Sequence, residues 1–475
     1  MAAKYDVIVV GAGPGGSTAA KIAAEKKLKV LLLERARTPG EKNMSGSYLF
    51  RNVCEELFPG FQKADFHKGQ VRIGGIDFRW SLDDDEKRYG ISIAPGGEPM
   101  RDMMCVFRNE SDTWFANEAV KAGAELKTAL ATDVIWDTSR DGGQRVVGVV
   151  TDRGNFEAPV TIDASGIHSV IARRSGLVTW TGAKAHEKIM LAIKYIYRVD
   201  EKILRQRLQT YFDSDGVETD WGAMPTMAGS TAAYWGSHAV GIPGRGIVNI
   251  IVYHTMKEMV ENRVNVHQRA QWYLNQAPVK QLIEGGEFIY CNFHCLNAGD
   301  IVGQPPKAQL PGLMLAGDSG GFGNPLDDFG ANVAMEMGKM VAELAADMKK
   351  KGDYSAEMFA KYDARWRNSF VAEDNIPEMA LLMRGEGFSK TLGTMDDAIC
   401  TFFTKRFNNT SYPQIMLTIM PKMVGVLPTL MDAAYAMKPI AKAGVKKVEP
   451  LLAMADLMGG GGGLMKPDNK KKGGD

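Results

Sequence analysis

Three glycines at a fixed spacing, Gly11, Gly13 and Gly16, stand between an apolar, β-branched run, Val7–Val10, and an alanine-rich, helix-favouring stretch over residues 17–26. The chemistry of such a turn is anion binding. Gly11 permits the tight turn, Gly13 lets a pyrophosphate approach the backbone, and Gly16 lets helix pack closely on strand. N–H groups at the helix start face the anion, and the helix dipole adds to the attraction. A second apolar run, residues 28–33, ends in Glu34, where a carboxylate accepts both ribose hydroxyls of an adenosine. A 2′-phosphate there would be repelled, although Arg35 next door softens the repulsion. With 52 glycines in the chain, the spacing alone is weak evidence. The order strand, turn, helix, strand, acid is what marks dinucleotide binding.

The elements that position this turn belong to a long chain. Its 475 residues allow two or three domains and a large core. Its 57 basic and 56 acidic residues give no bulk charge that points to nucleic acid. Five irregularly spaced cysteines suit a reducing compartment. Cys291-x-x-x-Cys295 reads as two ordinary thiols in preference to a redox or metal pair, so no metal is expected in this chain. No secretory signal and no run of about 18 uncharged apolar residues is visible. The protein is therefore expected in the cytoplasm or at the cytoplasmic face of a membrane.

Beyond Glu34, residues 37–46 (RTPGEKNMSG) form a turn-rich loop able to reach back over a bound cofactor. Residues 71–93 alternate apolar and polar types around Trp80 and predict strands of a different sheet. Residues 106–115 (VFRNESDTWF) lead into an amphipathic helix ended by Gly123, and residues 125–136, 146–151 and 156–163 are strand-like. Residues 163–169 (DASGIHS) close the last of these in another glycine turn. Residues 315–325 (LAGDSGGFGNP), followed by Gly330 and Ala331, form a third.

With these three motifs in order, the chain resembles flavoproteins of the glutathione-reductase-like FAD fold, the group that holds p-hydroxybenzoate hydroxylase and the geranylgeranyl reductases. Within it the chain is most similar to the FixC-type electron-transfer-flavoprotein:quinone oxidoreductases, through Pro39, Gly40, Lys42, Asn43 and Gly46 of the loop and through residues 106–115. The family's second motif is Ala-Asp-Gly-x-x-Ser, and Ser165 stands at its Asp position. The resemblance implies an α/β fold: a Rossmann-like FAD-binding domain of the glutathione-reductase type, a mixed β-sheet substrate domain and a helical C-terminal region. It implies non-covalent FAD held by Gly11, Gly13, Pro14, Gly16, Glu34 and Arg35 from the first unit, and by Lys42, Asn43, Gly46 and Arg108 from the segments that follow. Gly166 comes from the second motif, and Gly317, Asp318, Pro325, Gly330, Ala331 and Asn332 from the third. Asp318 matches the ribityl contact, and the helix opening at residues 330–332 points N–H groups at the flavin pyrimidine edge. No catalytic acid or base is assigned, because the flavin carries the chemistry.

The expected boundaries are 1–70, 100–176 and 300–345 for the FAD-binding domain, with 71–99 and 177–299 for the substrate sheet. A separate helical region spans 346–458, and a glycine- and lysine-rich disordered tail spans 459–475. In the substrate sheet, strands are expected over 189–199, 232–240 and 246–254, with Tyr234, Trp235 and His238 candidates for its substrate face. Residues 411–447 are Met-, Pro- and Leu-rich and edged by lysines, and fit either a membrane-interfacial segment or a helical cap. The function implied is electron transfer from an electron transfer flavoprotein to a quinone. The four-cysteine iron–sulfur domain of the fused dehydrogenases has no counterpart here, which implies a separate ferredoxin-like subunit. Alternatives are an isoprenoid lipid reductase and, further off, a flavin monooxygenase.

Overall fold

The computed structural model describes residues 4–43, 47–68, 76–81, 88–93, 103–138, 144–177, 189–212, 218–219, 224–228, 235–261, 263–297, 307–322, 330–373, 405 and 411–424. Gly46, Pro325, Tyr234 and the 459–475 tail lie outside them.

A six-stranded sheet is built around the first apolar run. Its order is Gln309–Leu310, Leu313–Leu315, Val160–Asp163, Val7–Val10, Val30–Glu34, Glu125–Thr128, parallel throughout except at the Gln309–Leu310 edge. Val7–Val10 is buried at every position, as expected for a parallel strand covered on both faces. Strand alternation divides those residues between two cores. Val7, Val9 and Leu32 pack with the helices Pro14–Glu25 and Gly330–Lys351. Ile8, Val10, Leu31 and Leu33 pack under a three-stranded antiparallel sheet made of Ala131–Asp137, Arg145–Thr151 and Gly154–Glu157. The two helices touch through small residues: a Cβ on Gly338 would lie 2.3 Å from the Gly15 carbonyl oxygen, and one on Gly15 would lie 2.8 Å from that of Ala334.

A second, seven-stranded sheet runs in the order Glu287–Asn297, Ile189–Arg198, Ile247–Thr255, Trp235–Ile242, Met224–Ala228, Ile76–Ser81, Arg88–Ile93. It is mixed, because Met224–Ala228 pairs parallel with Ile76–Ser81 while its other neighbours are antiparallel. Ile193, Tyr195, Val248, Ile250 and Val252 pack on three helices, Glu201–Leu208, Val266–Leu274 and Ala277–Ile283. The alternate positions, including Lys194, therefore face the other way, toward the first sheet. Arg245 joins the two parts: its guanidinium donates twice to Glu110, at 2.8 and 2.6 Å, and stacks 4.8 Å from the Phe107 ring centre. Trp235 and His238 lie on the Trp235–Ile242 strand.

The expected start of a separate helical region at residue 346 needs correction. Helix Gly330–Lys351 runs through that position, and the helix Ala356–Arg367 is part of the first core. Its Phe359, Tyr362 and Trp366 are fully buried in the same core as Val7 and Val9. Tyr362 donates to the Leu315 carbonyl at 2.6 Å, and the Asp363 carboxylate accepts from the Ala308 N–H at 3.0 Å and from Gln309 Nε2 at 3.0 Å. The apolar positions of that helix recur at helical spacing and bury one face. Farther on, helix Tyr412–Val424 carries Leu417, Met420 and Met416 at 78, 50 and 42 % exposure. No helix among the described residues is long and apolar enough to cross a membrane.

Candidate functional site

The three glycines of the first turn have different work. Gly11 sits at φ +100°, where a Cβ would meet the Ala164 carbonyl oxygen at 2.4 Å, and a Cβ on Gly16 would meet the Gly11 carbonyl oxygen at 1.8 Å. Both are needed for the turn to close against its neighbours. Gly13 is different: its backbone is extended, with φ −75° and ψ −175°, and its absent Cβ leaves space, the nearest atom being Arg108 Nη2 at 3.7 Å. That space opens into a cleft lined by Gly11, Gly13, Pro14, Glu34 and Arg35. By helix geometry the first-turn N–H groups behind Pro14 have no intrahelical acceptor. An anion over Gly13 would meet them. The Glu34 carboxylate is held at the end of its strand by the Ala12 N–H at 3.0 Å and the Ala36 N–H at 2.8 Å, and each oxygen keeps accepting capacity for a hydroxyl.

A second wall comes from the 37–43 loop and the helix Arg108–Lys121. Asp112, with no exposed surface, accepts a bidentate pair from Arg108, Nε at 2.8 Å and Nη2 at 2.9 Å, and a third bond from Asn43 Nδ2 at 2.8 Å. Thr113 donates to the Pro39 carbonyl at 3.0 Å, and a Cβ on Gly40 would lie 2.1 Å from the Arg108 carbonyl oxygen. The turn-rich loop is thus pinned by a charge-assisted network. Lys42, Asn43 and Arg108 all line the cleft.

The second and third motifs are tied through Asp163, which is fully buried. Its carboxylate accepts from the N–H groups of Ser165 at 2.9 Å and Ala172 at 2.8 Å, and its carbonyl accepts from Ser319 Oγ at 2.6 Å. Burial raises its carboxyl above the usual range, and those hydrogen bonds oppose the rise. Gly166, Asp318, Gly330 and Ala331 line the cleft. Burial pushes the Asp318 carboxyl up, and the nearby Arg108 charge opposes it. Three expected residues are not on the cleft wall. Gly16 lies behind the turn. A Cβ on Gly317, at φ +69°, would lie 2.7 Å from the Ala334 Cβ. The Asn332 side chain turns inward to accept from the Phe50 N–H at 3.0 Å.

Lys194 and His294, both from the seven-stranded sheet, also line the cleft, as do His168 and residues 129–131. None of these was singled out from the sequence. The available signal was Lys194, the only charged residue inside an otherwise apolar strand run, IMLAIKYIY. Arg35 Nη2 lies 3.1 Å from His168 Nε2, and the His168 and His294 rings stand 6.2 Å apart. Burial, reinforced by Arg108, His168, Arg35 and Lys194, pushes the His294 imidazole down to about 4. Cys291 and Cys295 lie on one strand, Glu287–Asn297. Four residues of extended chain separate them by about 13 Å, too far for a disulfide or a shared metal ion.

The cleft therefore offers an anion site over Gly13, a hydroxyl acceptor at Glu34, and a carboxylate, Asp318, between the turn and the opening of the Gly330–Lys351 helix. These groups fit FAD, and they are supplied by the three motifs together.

Comparison with known proteins agrees. The family model described as FAD dependent oxidoreductase matches residues 6–286. The chain is 27 % identical to Protein FixC of Bradyrhizobium diazoefficiens over 388 residues, 78 % of this chain and 82 % of that one. It is 25 % identical to the probable electron transfer flavoprotein-quinone oxidoreductase YdiS of Escherichia coli over 380 residues, 78 % and 83 % of the two chains. Among solved structures, a geranylgeranyl bacteriochlorophyll reductase-like protein from Thermoplasma acidophilum superposes with a TM-score of 0.64 at 23 % identity, over 90 % of this chain and 99 % of that one.

Proposed function

From a chain that belongs to the FAD dependent oxidoreductase family, we propose an enzyme that takes electrons from an electron transfer flavoprotein and delivers them to a quinone. The observation that supports this reading best is the extent of the likeness to FixC and YdiS. It covers 78 % of the chain and so extends past the 6–286 segment that the family model matches. The cofactor supplies the electron-accepting chemistry. The chain's own residues bind and orient it: Gly13 admits the diphosphate, Glu34 takes the ribose, and Asp318 takes a ribityl hydroxyl. Lys42, with Arg108 held by Asp112, would place positive charge along the bound cofactor. An iron–sulfur centre, where used, would come from a ferredoxin-like partner. The exposed Leu417, Met420 and Met416 of helix Tyr412–Val424 would lie in the membrane interface, within reach of a lipid-dissolved acceptor. We propose the same discontinuous division between FAD-binding and substrate domains, with the FAD-binding part extended through residue 373.

The test is stopped-flow mixing of photoreduced protein with a short-chain quinone and, separately, with a geranylgeranyl lipid. Rapid reoxidation of the flavin by the quinone is expected. Rapid reoxidation by the lipid alone would replace this reading with an isoprenoid reductase.

A further inference from the structure

Two walls of the cleft come from the six-stranded sheet and its helices, but a third comes from the other sheet. Lys194 lies on Ile189–Arg198 and His294 on the neighbouring strand Glu287–Asn297. The antiparallel register pairs Lys194 with Asn292 and Ala192 with His294, so both side chains rise from the same sheet face, one step apart. Lys194 is 1 % exposed.

The groups facing His294 define what the site wants. Arg108 comes from the Arg108–Lys121 helix and lies over the Gly13 turn. His168 and Arg35 come from the second motif and the end of the second strand, and Lys194 from the adjacent strand. Four fixed cations line the cleft (Arg35, Lys42, Arg108, Lys194) against two carboxylates (Glu34, Asp318). Asp112 behind the wall pairs Arg108 and accepts from Asn43, so with it counted the cleft keeps an excess of one positive charge. A diphosphate diester carries two negative charges and belongs over the Gly13 turn, between these cations.

We propose that Lys194 and His294 form the roof of the diphosphate site, so that the dinucleotide's phosphates, and not its flavin ring, draw the seven-stranded sheet onto the glycine turn. The inference rests on FAD occupying the cleft and is independent of the electron donor and acceptor. One consequence is proton uptake on binding. Without ligand, His294 is held neutral by burial and by its cationic neighbours. A dianion beside it reverses that field and favours the imidazolium. Binding should then tighten as pH falls, by at most about tenfold per unit for one linked proton.

The experiment titrates flavin-free, full-length protein with FAD and, separately, with ADP-ribose, between pH 5.5 and 8, by fluorescence and calorimetry. ADP-ribose carries the diphosphate diester without the flavin and has no terminal phosphate to titrate in this range. Expected are tighter binding of both ligands at the lower pH, loss of that dependence in His294→Gln, and about 10- to 100-fold weaker binding of both in Lys194→Met at every pH. Far-UV circular dichroism of each flavin-free variant separates misfolding from lost affinity. If folded Lys194→Met and His294→Gln bind ADP-ribose like the wild type, the proposal is overturned while FAD binding stands, even if FAD affinity or flavin potential has changed. If the wild type binds neither ligand, the FAD assignment itself falls.

Discussion

Substituting the three motif glycines one at a time should give three different proteins. Gly13→Val places its side chain in open space, with the nearest atom 3.7 Å from the Cβ, and demands no unusual backbone because φ is −75°. The fold should lose only about 0.5–1 kcal/mol, the usual difference for a poorer helix N-cap. Its methyl groups, however, fill the volume that a phosphate needs against the backbone. Losing two charge-assisted N–H contacts at about 1.5–3 kcal/mol each removes about 3–6 kcal/mol of affinity, a factor of roughly 10² to 10⁴. Gly11→Ala instead forces a side chain to φ +100° and drives its Cβ to 2.4 Å from the Ala164 oxygen. Left-handed strain alone costs about 1–3 kcal/mol, and the backbone overlap adds to it. Gly16→Ala overlaps the Gly11 oxygen at 1.8 Å, with no flexible atom to yield. The assay is flavin absorbance per polypeptide after purification, with thermal melting of the flavin-free proteins followed by circular dichroism. Expected are a colourless Gly13→Val protein that melts close to the flavin-free wild type, and Gly11→Ala and Gly16→Ala proteins that lose both flavin and several degrees of melting temperature. A yellow Gly13→Val protein, or a Gly16→Ala protein with wild-type melting, would refute the division of labour.

Other outcomes follow from particular contacts. Asp318→Ala removes one acceptor for a ribityl hydroxyl and should weaken FAD retention by about 10- to 150-fold, read by flavin release during dialysis. Because His294 is depressed to about 4 from an unfolded 6.5, the stability it contributes is present above pH 6.5 and is lost as pH falls toward 4. The slope is at most about 1.4 kcal/mol per unit. Urea melts of the flavin-free protein should show that decline and His294→Gln should flatten it. Trp366→Ala should cost about 3–5 kcal/mol, measured the same way, since Trp366 is fully buried in the first core; a loss under 1 kcal/mol would mean its helix is peripheral. Leu417→Asp with Met420→Asp should abolish flotation with anionic liposomes at low salt, and undiminished flotation would return helix Tyr412–Val424 to a cap.

The local sequence determined much of this protein by itself. The run Val7–Val10, three glycines, an alanine-rich segment and a strand ending in Glu34 specify strand, turn, helix and strand, because each depends on neighbours a few residues away. The strands around residues 189–255 were legible for the same reason, whereas the parallel sheet, whose pairings join residues about 150 apart, followed from the resemblance of the three motifs together. Tertiary structure alone decided three other features. The loop of Lys42 and Asn43 is positioned by Asp112, 69 residues beyond Asn43, a distance no periodicity crosses. The helix Ala356–Arg367 joins the first core because its buried face fits against the Gln309–Leu310 and Leu313–Leu315 strands and the Gly330–Lys351 helix, whereas an amphipathic pattern states only that some core exists. Lys194 and His294 reach the cleft because a different sheet is laid over the glycine turn. Strand alternation said that Lys194 lay on one of two faces. Which face met the cofactor cleft was set by the helices packed on the other side and by the Arg245–Glu110 clamp.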